Sequence, residues 1–544
     1  MPHATYSDRP DPGLQAIILC GPGSSFPTFT ASPDENPKAL LPIANRPMVW
    51  YPIDFCYRMG IKNITIVTPP SSTATITAAF NTNPHLTSLD LPKPLSPKDL
   101  DQTTGTAQIL RLPEVRAAIK KDFIILPCDL VCELEGQALL NVWMRRDPGI
   151  GAATGGGNAS ESGEDHGRKP GLGVWYDTKS EPVIKGEETD FIATTALPKS
   201  EVPPSKSSIV AHVSKLIYSV PTDTLNDLTE AKNSLPLRHG LMRAHPRLRM
   251  LSGHRDAHIY IFPAWVVDMV NSNEHMDSIG EDVIGWWAKA EWQVGLADKL
   301  GFREGFDKSN PDGPDDNSLD NAPKADVDFQ SLSSTWTSDL SRALPTESSE
   351  LNGDIPPILA YIHPKSKAEG IAPLLRRVDT APLLLSVSLQ LAKLEAIDAA
   401  GRDASPFAHQ KKVAYPEGIA SRTTVTRPDC LLAENVKVEE KCSVKECVIG
   451  ANCHIKEGAK LFKCVLMDGV VVGKGCKLNG CILGRMSVVG QDSELTNCEV
   501  QENLLLEPKT EEKNYKFMSS DAMEESFHDE APSIDAEQEA TLDP

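Results

Sequence analysis

From Cys447 to Val500 the chain reads CVIGANCHIKEGAKLFKCVLMDGVVVGKGCKLNGCILGRMSVVGQDSELTNCEV. Apolar residues recur at Ile449, Ile455 and Leu461, then Leu466, Val472 and Leu478, then Leu483, Val489 and Leu495. Most steps are six residues and the exceptions are five, and Gly450, Gly473, Gly484 and Gly490 follow the apolar positions directly. This hexapeptide period is the signature of a parallel β-helix, in which three short strands make each coil. Cys430, Cys447, Cys464, Cys481 and Cys498 are each 17 residues from the next, whereas three hexapeptides would make 18. Each coil therefore drops one residue at a corner, and the five thiols are expected in one column, about 4.8 Å apart along the axis. The chain contains no Cys-x-x-Cys pair, so the column reads as small buried thiols rather than a zinc site.

Upstream the pattern is different. LQAIILCG (Leu14–Gly21), NITIVTP (Asn63–Pro69) and DFIILPCDL (Asp122–Leu130) are apolar runs of buried-strand type, the last with an acid near its end. Helices are expected over Met48–Met59, around Arg116–Lys121 and near Glu281–Ala290, and further strands at Gly173–Tyr176 and Ala257–Phe262. Strands unbroken by polar positions and alternating with helices imply an α/β domain with a mostly parallel sheet covered on both faces. The expected organisation is this domain over 14–300, an insertion over 301–354, a connector completing the first domain over 355–420, the β-helix over 421–506 and a tail over 507–544. Ala381–Ile397 reads as a core or connector helix.

The formal net charge of −21 is uneven. Residues 301–354 carry 12 acidic and 4 basic side chains, and residues 507–544 carry 12 and 3. These stretches are rich in Ser, Asp or Glu, a composition that resists packing, and they read as a disordered insertion and tail on a nearly neutral body. The balance argues against a general nucleic-acid binder. No run approaches a membrane span, and twelve cysteines without a secretory signal read as reduced cytosolic thiols.

LCGPGSSFPTFT (Leu19–Thr30), followed by PKALLPIANRPM (Pro37–Met48), resembles the opening signature of the sugar-phosphate nucleotidyltransferases. The resemblance implies a Rossmann-like nucleotidyltransferase fold, here followed by a left-handed β-helix. In that family glycines let backbone N–H groups approach phosphates, and an arginine and a lysine offset their charge. Gly21, Gly23 and Lys38 match, but Ser25 stands at the arginine position, Ser24 at the threonine and Phe26 at the leucine. GTAQIL (Gly105–Leu110) is similar to the segment bordering the base, and Asp129 to the aspartate that binds Mg²⁺. The family's Glu-Lys-Pro motif is absent, and its Asn-x-Gly has become Asp256-Ala257-His258. The resemblance thus implies a relict nucleotide pocket of Gly21, Gly23, Lys38, Gly105 and Asp129, with no catalytic residue, metal or cofactor. For Lys38 a surface lysine after a proline turn competes with that role, and for Asp129 a strand-end turn cap.

Two groups combine such a domain with hexapeptide coils: sugar-nucleotide pyrophosphorylases such as mannose-1-phosphate guanylyltransferase, and the gamma and epsilon subunits of translation initiation factor 2B. NRPMVWYPIDFCYRMGIKNITIVTP (Asn45–Pro69) is similar to the gamma family. That resemblance implies a non-catalytic cytosolic subunit that pairs with epsilon, joins alpha, beta and delta in a decamer, and acts on initiation factor 2 to promote GDP release. The alternative is an active guanylyltransferase. Two further features invite functional readings: the arginines and histidines between Arg238 and Arg255 as an anionic-partner patch, and His454 as a general base. A solvated loop and strand face, and a solvent-facing turn residue, are the respective alternatives.

Overall fold

The computed structural model describes residues 10–21, 25–87, 93–101, 103–144, 169–179, 187–197, 208–232, 238–302, 355–364, 373–401 and 404–519, and residues 89, 91 and 184. The chain divides into two compact units, one of residues 1–21 and 49–377, the other of residues 22–48 and 378–544. Among the described residues twelve strands precede the repeats: β1 (Gln15–Leu19), β2 (Pro42–Ile43), β3 (Arg46–Pro47), β4 (Ile64–Val67), β5 (Phe123–Pro127), β6 (Leu130–Cys132), β7 (Gly171–Asp177), β8 (Asp190–Thr195), β9 (Val213–Pro221), β10 (Leu248–Phe262), β11 (Ile358–Ile362) and β12 (Leu375–Arg377).

In the first unit eight of these form one mixed sheet in the order β4-β1-β5-β10-β7-β11-β9-β8. β1 pairs in parallel with β4 and β5, and β11 with β7, while β10 runs antiparallel to β5, β7 and β8. The apolar runs are the central strands because both sheet faces are covered and no side chain of Ala16–Ile18 or Phe123–Leu126 reaches solvent. One core holds Phe123, Trp175, Tyr260, Phe262 and Trp287, with the Tyr260 and Phe262 rings stacked at 5.5 Å. The expected helices are present as Trp50–Met59, Pro113–Ala118 and a π-turn at Ile279–Ile284 continuing into Gly285–Ala290. β6 and β12 pair antiparallel beside this sheet, with Arg377 opposite Leu130.

The second unit is the β-helix with the segment 22–48 and the helix Ala381–Ala392. Its first face stacks Ser443–Lys445, Lys460–Phe462, Lys477–Asn479, Glu494–Thr496 and Glu511–Lys513 in parallel. Its second stacks Leu431–Leu432, Val448–Ile449, Val465–Leu466, Ile482–Leu483, Glu499–Val500 and Lys516–Phe517. The third stacks Lys437–Val438, His454–Ile455, Val471–Val472 and Val488–Val489. The coils thus run past residue 506 to Phe517, and the segment 355–420 is shared: β11 and β12 belong to the first unit, residues from 378 onward to the second. The expected acidic insertion from 303 to 354 and the tail beyond 519 lie outside the described residues.

The 17-residue period has a backbone cause. From Leu432 onward every corner carries a residue at positive φ, in three columns of constant spacing: Asn435, Asn452, Gly469, Met486 and Asn503; Lys441, Gly458, Gly475, Asp492 and Lys509; Glu446, Lys463, Gly480, Asn497 and Asn514. The third column makes the shortest corner, where Lys463 and Cys464 alone separate Lys460–Phe462 from Val465–Leu466. That corner is where the apolar step shrinks to five. A cysteine follows each of Glu446, Lys463, Gly480 and Asn497, buried in the coil interior. Each thiol donates to the carbonyl two residues earlier, Cys447 to Lys445 at 3.0 Å and Cys464 to Phe462 at 3.2 Å. Burial pushes the Cys453 thiol up to about 12 and Cys464 higher still, so these are inert thiols.

Left-handed backbone costs an ordinary L-residue about 1–2 kcal/mol, and Asn far less. Met486 breaks its Asn/Gly column and leaves its side chain in solvent. Met486→Asn should therefore raise stability by about 1 kcal/mol, read as a thermal midpoint higher by about 2–4 °C.

Candidate functional site

β5 ends at Pro127, and Asp129 follows at the carboxyl end of a parallel strand, where α/β sheets place their ligand sites. The N–H of Cys128 donates to the Leu19 carbonyl at 3.0 Å, which sets the exits of β1 and β5 side by side. Asp129 is 2% exposed. β12 pairs with β6 and so delivers Arg377 to it, Nε to Oδ1 at 3.5 Å.

Arg377 also meets His258, Nη1 to Nε2 at 3.2 Å. His258 has φ +51° because β10 shifts register between Asp256 and Tyr260, and its N–H donates to Asp256 Oδ1 at 2.8 Å. The Tyr260 hydroxyl donates to the other oxygen of Asp256, and the Asp256 N–H donates to Asp190 Oδ2 at 2.6 Å. Burial raises the carboxyl pKa of both Asp190 and Asp256, and for Asp256 the neighbouring Asp190 raises it further.

A second cluster continues from the first. Arg255 lies 3.7 Å from Glu187 and 3.2 Å from Glu188, and Arg376 lies 3.9 Å from Glu187. Arg376 also donates to the Asp177 carbonyl at 3.1 Å and covers the Tyr176 ring at 5.2 Å. The Tyr176 hydroxyl donates to Glu187 at 3.0 Å. Three arginines thus lie among the five carboxyls of Asp129, Glu187, Glu188, Asp190 and Asp256. Arg255, expected in a basic patch, is instead buried against Glu187, and Arg376 and Arg377, to which the sequence motifs assign no role, join it among these acids. Arg-Arg on a three-residue strand looks like surface charge until the pairing with β6 is known.

The five pocket residues fall as follows. Gly21 closes β1, and a Cβ there would meet no atom within 4 Å. Gly23 lies outside the described residues. Gly105 precedes the helix Thr106–Arg111, and a Cβ there would stand 2.3 Å from the Asp277 carbonyl oxygen, so a close backbone approach requires this glycine. Lys38 belongs to the second unit, in a turn at Lys38–Leu40, 9% exposed and 5.8 Å from the Phe26 ring.

The rest of the signature segment is fastened within that second unit. Arg46 donates to the Phe407 and Ala408 carbonyls at 2.8 Å each, Asn45 to the Ile449 carbonyl at 3.0 Å, and Thr28 to Glu499 at 2.8 Å. Of the expected basic patch, Arg243, Arg247 and Arg249 are exposed, while Arg255 is buried among its acids. His454 sits on a strand rather than a turn, half-buried, with Nε2 at 2.8 Å from Glu439. Among the described residues no group of three or more His, Cys, Asp or Glu side chains is arranged to hold a metal ion, and no helix is long and apolar enough to cross a membrane.

Residues 413–511 match the family described as the EIF2B subunit epsilon LbH domain. A 287-residue stretch is 27% identical to translation initiation factor eIF2B subunit gamma of Schizosaccharomyces pombe, covering 52% of this chain and 52% of the relative. The chain resembles an eIF2B gamma subunit. The match spans about half the length of that curated relative. The fold read from the sequence, a nucleotidyltransferase-like domain followed by a left-handed β-helix, agrees with both findings.

The acid pair gives a pH signature. Both carboxyls hold protons more tightly in the folded chain than an unfolded aspartate, whose pKa is about 3.9. The stability they contribute is full below that value and is lost as pH rises through their raised folded values. Asp256→Asn should flatten this decline between about pH 4 and 7 and gain on the order of 1 kcal/mol at pH 8, measured by thermal unfolding across pH.

Proposed function

We propose that this chain is a non-catalytic, gamma-type subunit of the guanine-nucleotide exchange factor for translation initiation factor 2. Its role is to pair with an epsilon subunit, join alpha, beta and delta subunits, and orient surfaces that engage initiation factor 2 while epsilon promotes GDP release. The work is scaffolding in the cytosol and needs no cofactor. The observation that carries this reading is the Arg377 guanidinium on Asp129. A carboxylate that would hold Mg²⁺ against a triphosphate is engaged by a fixed cation of its own chain. Ser25 in place of an arginine removes a group worth about 10²–10³ in rate where it acts on a transition state. The signature segment 22–48 lends further support, because its anchoring bonds go to the β-helix unit.

Affinity capture of the tagged full chain from its own cells should bring down an epsilon-like subunit and initiation factor 2. The same purified chain, given nucleoside triphosphates, Mg²⁺ and hexose 1-phosphates, should release no pyrophosphate above background. Robust pyrophosphate release without those partners would overturn the proposal in favour of a guanylyltransferase.

A further inference from the structure

The faces of the β-helix differ in what covers them. On the second face Val448, Val465 and Ile482 point away from the coil interior yet are at most 3% exposed. The helix Ala381–Ala392 packs there. On the first face Lys445, Lys460, Phe462, Lys477 and Asn479 are exposed among the described residues. Its middle rungs form a shallow depression of about 400 Å³ lined by Lys445, Lys460, Phe462, Lys477 and Asn479. Phe462 is 39% exposed at its centre, and the ammonium of Lys463 lies 5.1 Å from its ring. Lys477 is paired with Glu494 at 3.0 Å. Among the described residues Lys445, Lys460 and Lys463 form no ion pair. Toward the end of the coil the same face turns acidic, with Glu494, Glu511 and Glu512. An aromatic ring set among unpaired ammonium groups suits an extended segment that carries carboxylates on both sides of an aromatic residue.

The chain carries such a segment. After residue 519 it continues SDAMEESFHDEAPSIDAEQEATLDP, with nine acidic residues and no Lys or Arg. Phe527 is the only aromatic residue there, with Glu524 and Glu525 before it and Asp529 and Glu530 after it. Reach is sufficient. From Lys516–Phe517 the Lys460–Phe462 rung is three coils back, about 14 Å along the axis at ~4.8 Å per coil. The eight residues from 519 to Phe527 span up to about 27 Å.

We propose that Asp521–Glu530 docks in cis on the first face of the β-helix, with Phe527 against Phe462 and its carboxylates on Lys445, Lys460 and Lys463. Exposed ion pairs are individually weak, but a short tether holds the segment at an effective concentration in the millimolar range. The acidic rungs near the coil end repel the segment and favour the lysine rungs. The face is then covered by the chain itself.

Zero-length carbodiimide coupling on the full chain, mapped by peptide mass spectrometry, tests this. Amide links should join Lys445, Lys460 or Lys463 to Glu524, Glu525, Asp529 or Glu530. The 2.7 Å pair Lys441–Glu457 serves as a folded-state control. Half a molar salt, or the double variant Lys460→Glu, Lys463→Glu, should cut the tail links at least fivefold, with the control link retained in the double variant. In an equal mixture of ¹⁵N-labelled and unlabelled chains, tail links should stay within one isotope. Tail links absent while the control forms, tail links predominantly to other lysines, equal yield in the double variant, or links of mixed isotope would each overturn docking in cis on this face.

Discussion

A buried carboxylate needs a cation close by, and around Asp129 that cation is a guanidinium. Taking such an acid out of water costs several kcal/mol, which only a well-placed partner offsets. Arg377 supplies it from a strand whose register against β6 is fixed. The same register sets Arg376 near Glu187, and Arg255 on β10 meets the same acid. These contacts tie β12 to Asp129 just before β6, β12 to the Asp177 carbonyl of β7, and β10 through Arg255 to Glu187 and Glu188 before β8. Asp190 and Asp256 are the exception. Burial raises the pKa of both carboxyls, and for Asp256 the neighbouring Asp190 raises it further. A site arranged in this way has committed its positive charge internally, which is the physical basis for reading the first unit as a scaffold.

The second unit obeys a steric constraint of a different kind. A coil closes only if the chain turns three times, and from Leu432 onward each turn uses a left-handed residue. Asn, Gly and Asp fill most of those positions at low cost, and side-chain amides bond up the column, as Asn435 does to Asn452 at 2.7 Å. Since each coil contacts only its neighbours, stability accumulates coil by coil. The helix Ala381–Ala392 completes this unit by packing on apolar residues that the coil turns outward, and Thr28 and Asn45 fasten their segment to the coil.

The repeat was legible because its period is a covalent count, and the cysteine spacing gave the coil length directly. The central strands β1, β4 and β5 were legible because two-sided burial demands unbroken apolar runs. Other features depend on pairing that no local pattern records. Arg377 acquires its partner through β12, which is three residues long and lies about 245 residues from Asp129 in the chain. Gly105 matched a nucleotide motif, yet the Asp277 carbonyl suffices to require a glycine. Lys38 matched too, and it lies in the β-helix unit. The coils beyond Leu506 escaped because the inward column changes there from Leu495 to the exposed Glu512, which removes the apolar period while the backbone ladder continues.

Asp129 is occupied by the chain's own cation, Arg377. Mn²⁺ binding, followed by electron paramagnetic resonance of the free ion in the presence of GTP, reads this directly. No saturable protein-dependent site is expected, with the same curve for wild type and Asp129→Asn. One equivalent of tightly bound Mn²⁺ in the wild type, lost in Asp129→Asn, would contradict it.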